Sequence, residues 1–334
     1  MEIIPVAWCL SSLTSRRERG GLSSCASDDG SGACERRHAP SPVEYSPFLI
    51  QLRMGSYARF LKLEHTLFSL PVIFSGTLLH RTGWPSLRDL MLILLAAASA
   101  RIIALSLNRI IDIEIDARNP RTAGRPLQRH TMLPWEAWTM VALSGILYGV
   151  SAWALAPICL WLSPIPVALF FIYPYLKRFT ILAHLGLGLA WSMAPLGGWL
   201  AVSRTLVGIH EVGWLWLFSL LWVAGFDIIY ALLDEAFDRE WGLYSLPARV
   251  GRRRALQMAQ VAHGGAFFSL VLLWATQLQR PLALVWLGGI AAVFVWQHAI
   301  AERRPEFAFF QLNSAIGFLV LALVFSGVWL PHFA

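Results

Sequence analysis

Asp89-Leu-Met-Leu-Ile-Leu-Leu-Ala-Ala-Ala-Ser-Ala-Arg101-Ile-Ile-Ala-Leu-Ser-Leu-Asn108-Arg-Ile-Ile-Asp112-Ile-Glu-Ile-Asp116 decides how the rest of the chain is read. A helix crosses the hydrocarbon of a bilayer with about 20 mostly apolar residues, and residues 89–110 supply such a run with Arg101 alone charged deep inside it. The run then ends in acid. Asn108, Asp112 and Asp116 recur at i, i+4 and i+8, a spacing that puts three oxygen-bearing side chains on one helix face. A spanning helix with a carboxylate stripe at its end predicts a membrane protein that does chemistry at one membrane surface.

The composition agrees. Of 334 residues 57% are hydrophobic and only 14% charged, with 16 Trp and 19 Phe, and the mean hydropathy is +0.57. A soluble domain carries about a quarter charged residues, so a soluble enzyme, a disordered chain and a coiled coil are excluded together. The expected architecture is an all-α polytopic membrane protein of nine transmembrane helices bundled around a central site. The spans fall near 62–80, 89–110, 136–154, 157–176, 180–202, 213–233, 256–276, 281–300 and 308–330. Pro71, Pro164, Pro166 and Pro195 kink helices at positions where neighbours can re-satisfy the freed carbonyls.

Lys and Arg divide the loops unequally. The groups at 53–62, 109–129, 177–178, 239–254 and 303–304 hold 17, against Arg81, Arg88, Arg204 and Arg280 on the other side. The positive-inside rule then predicts a cytoplasmic N-terminus, an outside C-terminus and a bacterial inner membrane as the setting. Residues 1–53 differ from the rest, being rich in Ser, Gly, Arg and Pro. They read as a disordered tail or an over-extended start before Met54, with 54–334 as the membrane domain. Cys9, Cys25, Cys34 and Cys159 form no disulfide framework or CxxC metal pattern, and no basic groove suggests nucleic acid. No obligate protein partner is expected, only membrane lipid.

Eight of the 20 acidic residues lie in 112–116 and 227–240. The second segment, Asp227-Ile-Ile-Tyr230-Ala-Leu-Leu-Asp234-Glu-Ala-Phe-Asp238, puts carboxylates at i, i+7 and i+11, again on one stripe. A lone Asp at a helix end reads as a cap or a surface ion pair, but two facing stripes repel unless cations lie between them. Hard oxygen ligands suit Mg²⁺, which takes one or two carboxylates and fills its shell with water and phosphate oxygens. Arg118, Arg121, Arg125, Lys177 and Arg178 stand nearby as phosphate-type cations. Acid for metal and base for phosphate make a diphosphate site.

Asn108-xxx-Asp112-xxx-Asp116 followed by Asn119-Pro-Arg-Thr-Ala-Gly-Arg-Pro126 resembles the first motif of the UbiA superfamily of intramembrane aromatic prenyltransferases, and Asp227–Asp238 resembles its second. Tyr173-Pro-Tyr-Leu-Lys177 looks like that family's diphosphate-contacting loop segment. Phe60–Phe68 and Gly242–Arg249 look like its 4-hydroxybenzoate branch, including menaquinone-pathway relatives, and the likeness spans about residues 54–330. The resemblance implies Mg²⁺-dependent transfer of an isoprenoid chain from a polyprenyl diphosphate to an aromatic hydroxy acid. It implies Asn108, Asp112 and Asp116 at one metal–diphosphate contact, and Asp234 and Asp238 at the other. Tyr173, Lys177 and Arg178 are implied as diphosphate contacts, while Arg121 and Arg125 read either as loop cations for the same diphosphate or as solvated interfacial Arg. Asp227, deeper by two turns than Asp234, is expected to orient the acceptor or to act as base.

Arg101, seven residues before Asn108 and so near the same face, needs an anionic partner at its depth. That partner is the acceptor carboxylate, the diphosphate, or an Asp of the sixth helix. His65, His184, His263 and His298 show no i, i+4 pairing and read as packing or interface groups. A cation-coupled transporter would carry its acids at the midplane, not at one face beside phosphate-type cations.

Overall fold

A computed structural model describes residues 55–57, 60, 69–80 and 83–329, and among them there are helices and connecting turns but no strand. The helices are α1 (Ser69–Leu79), α2 (Leu87–Ile111), α3 (Ile113–Arg118), α4 (Pro134–Leu155), α5 (Pro157–Leu162), α6 (Pro164–Leu176) and α7 (Ala183–Ser203). They continue with α8 (Gly213–Ala231), α9 (Glu235–Glu240), α10 (Leu246–Val250), α11 (Arg252–Leu273), α12 (Pro281–Ile300) and α13 (Pro305–Trp329). Eight stretches of the described residues are long and apolar enough to cross a bilayer, α5 and α6 together forming one across Ser163. They match the second to ninth expected spans to within a few residues. The first expected span is represented by the shorter apolar α1. Its remaining residues, 62–68, lie outside the described set, as do His65, 1–53 and the expected disordered tail.

Packing follows the sequence order: α2 lies on α4, α6 on α7, α7 on α8, and α8 on α11, while α13 returns to pack on α1 and closes the bundle. The α1–α7 contact depends on two glycines. A Cβ at Gly76 would stand 2.1 Å from the Pro195 carbonyl oxygen, and one at Gly198 2.1 Å from that of Ile73. Lipid tails are as apolar as the side chains they compete with, so small residues that let backbones touch are what hold such helices together. Thr77 adds a hydroxyl bond to the Gly198 carbonyl at 3.2 Å. α4 and α5 reverse direction through Ala156 alone, an extended residue at φ −166°, ψ 152° before Pro157.

Deep between α8, α11, α12 and α13 sits a neutral polar cluster. Asn313 Oδ1 accepts from Trp222 Nε1 at 2.8 Å and from Gln297 Nε2 at 3.2 Å, and Asn313 Nδ2 donates to the Phe309 carbonyl at 2.7 Å. His263 Nε2 donates to the Trp222 carbonyl at 3.2 Å, so its Nδ1 accepts from His298 Nε2 at 2.9 Å. His263 and His298, expected as packing or interface groups, meet across two helices, a contact that spacing within one helix cannot reveal.

Candidate active site

Both acidic motifs lie at helix junctions, not on uninterrupted helices. Asp112 stands between α2 and α3 at φ −95°, ψ 12°, and Asp234 leads into α9 at φ −107°, ψ 3°. These nearly identical values fall in the sparsely populated bridge region, where many active-site residues sit. Across the first junction the helical bonding persists, Asp112 N–H donating to Asn108 O and Asp116 N–H to Asp112 O. Across the second, residues 232–234 tighten into i→i+3 turns. The expectation of one α-helical stripe through Asp227, Asp234 and Asp238 is therefore not met, and Asp227 has different neighbours from Asp234.

Asp112, Asp116 and Asp234, at or near the junctions, are each paired with a cation. Buried Asp112 pairs with Lys177 at 2.5 Å and Arg178 at 3.4 Å, and Arg178 also donates to the Ile111 carbonyl at 2.6 Å. Lys177 and Arg178 follow directly on α6, which packs beside α2, so the first motif is neutralised from a neighbouring helix. Buried Asp116 pairs with Arg125, nine residues on, and its carbonyl accepts the Thr122 hydroxyl at 2.8 Å. Arg121 grips Asp234 with two prongs, its Nε 2.8 Å from Oδ1 and its Nη2 on Oδ2, and its Nη1 donates to the Tyr230 hydroxyl at 2.8 Å. Asn119 adds a bond to Asp234 Oδ1 at 2.8 Å and turns the loop by accepting the Arg121 N–H at 2.9 Å. The loop that follows the first motif thus holds the second.

Burial pushes the Asp112 carboxyl above its ordinary range, Lys177 and Arg178 pulling only partly against it. Burial works on Asp234 in the same direction, but there the Arg121 and Asn119 bonds prevail and hold it below that range. Asp238 is raised by burial. Its carbonyl accepts the Leu243 N–H at 2.8 Å, and Tyr244 N–H donates to the Lys177 carbonyl at 2.8 Å, so residues 242–246 are strapped onto the site.

Asp227 is held differently. His184 Nδ1 lies 2.7 Å from its Oδ2, and His184 Nε2 accepts the Leu246 N–H at 3.2 Å. Tyr173 lies in the field of Asp112, Asp227 and Arg101, beside Asn108, so five of the sequence-predicted residues converge at this depth. Beyond them opens a chamber of about 430 Å³ with walls of Ala, Gly and larger apolar residues. Arg101 is the one charged side chain among its described lining, and its guanidinium stands 5.6 Å from the Trp191 ring. Along α2 the lining runs from Ala104 back to Ile93, about 16 Å at 1.5 Å per residue.

Among the described residues no three His, Cys, Asp or Glu side chains converge as a ready-made metal cage. The donors are nonetheless all hard oxygen and sit in ones and twos, which fits Mg²⁺, an ion that completes its shell with phosphate oxygens and water. His184 and Asn119 were missing from the sequence-level site. His184 is seven residues past Lys177, and Asn119 stands within the first motif, but their acidic partners are 43 and 115 residues away.

Residues 69–315 match the profile of the UbiA prenyltransferase family. The chain is 29% identical over 287 residues to a 4-hydroxybenzoate octaprenyltransferase of Vibrio cholerae serotype O1, covering 83% of this chain and 99% of that protein. The structure of a UbiA homolog from Aeropyrum pernix K1 is similar with a TM-score of 0.73 at 34% identity, over 78% of this chain and 97% of that one. A UbiA homolog from Archaeoglobus fulgidus, solved bound to DMAPP and Mg²⁺, shares the fold with a TM-score of 0.64 at 21% identity, over 82% and 99% of the two chains.

Proposed function

This chain belongs to the UbiA prenyltransferase family, and on that premise we propose that it transfers a polyprenyl chain from a polyprenyl diphosphate to an aromatic hydroxy acid, 4-hydroxybenzoate or a dihydroxynaphthoate, in respiratory quinone biosynthesis. The observation that carries the reading is two acidic junctions at one end of the bundle, each gripped by phosphate-type cations, above an apolar chamber with a single Arg. Residues 54–334 are the transferase unit. The excess of Lys and Arg on the loops at the Asp end supports a cytoplasmic active site in a bacterial inner membrane.

Asn108, Asp112 and Asp116 on one side, and Asp234 and Asp238 on the other, would hold Mg²⁺. When bound, Mg²⁺ neutralises diphosphate and the charge that grows on it as the allylic C–O bond breaks. Lys177, Arg178, Arg121 and Arg125 exchange their carboxylate partners for diphosphate oxygens, with Tyr173 alongside. Their charge is worth most when the leaving diphosphate carries most, so they favour the transition state over the ground state. The apolar chamber excludes water from the allylic cation and admits the tail from lipid. Arg101 fixes the acceptor by its carboxylate, turning the electron-rich ring carbon toward the cation. Asp227 receives the proton that this carbon sheds as the ring regains aromaticity.

The test is a membrane-fraction assay with radiolabelled polyprenyl diphosphate and Mg²⁺, comparing 4-hydroxybenzoate with 1,4-dihydroxy-6-naphthoate. The expected result is Mg²⁺-dependent prenylation of one acceptor, lost in Asp112→Ala and Asp234→Ala. Product with neither acceptor would overturn the acceptor class.

A further inference from the structure

Asp112, Asp116 and Asp234 are each held by a cation, whereas Asp227 is held by an imidazole. The difference is chemical. A backbone N–H can only donate, so the Leu246 N–H on His184 Nε2 requires a lone pair there and puts the ring's single proton on Nδ1, facing Asp227 Oδ2. The ring is buried and both its nitrogens are satisfied, which fixes its orientation as well as its tautomer. Asp227 therefore receives a neutral hydrogen bond. Its Oδ2 is tied, and among the described residues its Oδ1 has no hydrogen-bond partner and no Lys or Arg is paired with it.

We infer that His184 is a positioning residue for Asp227, holding the carboxylate by one oxygen so that the other faces the acceptor. The inference rests on the proposed prenyl transfer and assigns that reaction's proton acceptor a partner. A Lys or Arg in the same place would pin the carboxylate equally well but would make it a poorer base. The same ring carries the strap. Leu246 opens α10, and its N–H, one of those a helix leaves unsatisfied at its start, is supplied with an acceptor by His184. Through Tyr244 N–H on the Lys177 carbonyl and Leu243 N–H on the Asp238 carbonyl, the strap also touches both diphosphate-binding halves. Seating of the strap and aim of the base meet in one side chain.

Two substitutions separate the two bonds. In His184→Asn the amide nitrogen takes the place of Nδ1 and keeps the donor to Asp227 while giving up the strap. In His184→Gln the amide oxygen reaches the place of Nε2 and keeps the strap while giving up Asp227. With purified protein and the acceptor used by the wild type, His184→Gln is expected to lose kcat by about 10- to 100-fold, with KM for polyprenyl diphosphate unchanged. His184→Asn is expected to keep kcat to within about threefold and to show faster amide exchange across 242–250. Full activity in His184→Gln, or equal losses in both variants tracking lowered thermal stability, would overturn the role while leaving the function standing. A wild type inactive with every aromatic hydroxy acid would overturn the function, and this role with it. Independently of any variant's folding, ¹⁵N spectra of histidine-labelled wild type should show His184 protonated at Nδ1 only. The opposite tautomer or an imidazolium would overturn the inference.

Discussion

Asp112 and Asp234 occupy the same backbone conformation at equivalent helix junctions, yet they are held in opposite ways. Asp112 is the more deeply buried, takes its cations from the end of the neighbouring α6, and has its carboxyl pushed up by burial. Asp234 is gripped by the loop that follows the other motif, and that grip wins over burial. Helix packing creates the first half of the site, and a loop reaching from the first half creates the second. The two halves are therefore coupled through Arg121 and Asn119, and the coupling runs one way along the chain.

The largest effect should come from removing either acid. Asp112→Asn and Asp234→Asn are each expected to lower kcat by about 10³-fold or more in the radiolabel assay, since both halves act on the same diphosphate. Residual activity confined to one variant would break the symmetry of the comparison. Arg121→Ala should lower kcat/KM by about 10- to 100-fold, because it removes a diphosphate contact and frees the loop from Asp234. Arg178→Ala, whose contact with Asp112 is longer, should cost only about 3- to 10-fold.

Stability sharpens the contrast. In EDTA at neutral pH, Asp234→Asn should lower the thermal midpoint by the equivalent of about 1–3 kcal/mol, because its ionised form is favoured in the fold and Arg121 is left unpaired. That contribution is present above the ordinary carboxylate range and fades as pH falls through the lowered value. Asp112 has the other sign: its ionised form is disfavoured in the fold, so Asp112→Asn should leave the midpoint unchanged or raise it. The gap between the two variants should narrow as Asp112 protonates and close only as pH falls below the ordinary carboxylate range of about 4 and Asp234 protonates too, and midpoints measured from neutral pH to below about pH 3 check it. The smallest effect belongs to Tyr230→Phe, which removes one hydroxyl bond from Arg121 and should cost about two- to fivefold in kcat/KM.

Much of this was legible in the sequence, and what was not has a common cause. Eight spans follow from apolar runs, and the grouping of Lys177, Arg178 and Arg121 with the two Asp motifs was an expectation that rested on the resemblance to the UbiA motifs. The bends at the two acids were not legible, because Ile-Ile-Asp112-Ile contains no helix breaker and the bend accompanies ion pairs made 65 and more residues away. His184 escaped for a related reason: its significance lies in what it touches on α8 and α10, and periodicity reports only what a residue shares with its own helix. The paired His263 and His298 were hidden in the same way.

The turn at Ala156 bears on how the chain is built as well as how it folds. With one residue between α4 and α5, there is no loop long enough to rest at a membrane surface and no charge within it to be retained there. The two spans are thereby tied as one helical hairpin of about 40 residues, whose ends face the same membrane surface. Its orientation is then set from outside, by Arg118–Arg129 before it and Lys177-Arg178 after it, which a hairpin necessarily keeps on one side. The basic segments that grip the acids are also the anchors at the two ends of this hairpin, so the rule that orients the hairpin also brings them to a common surface.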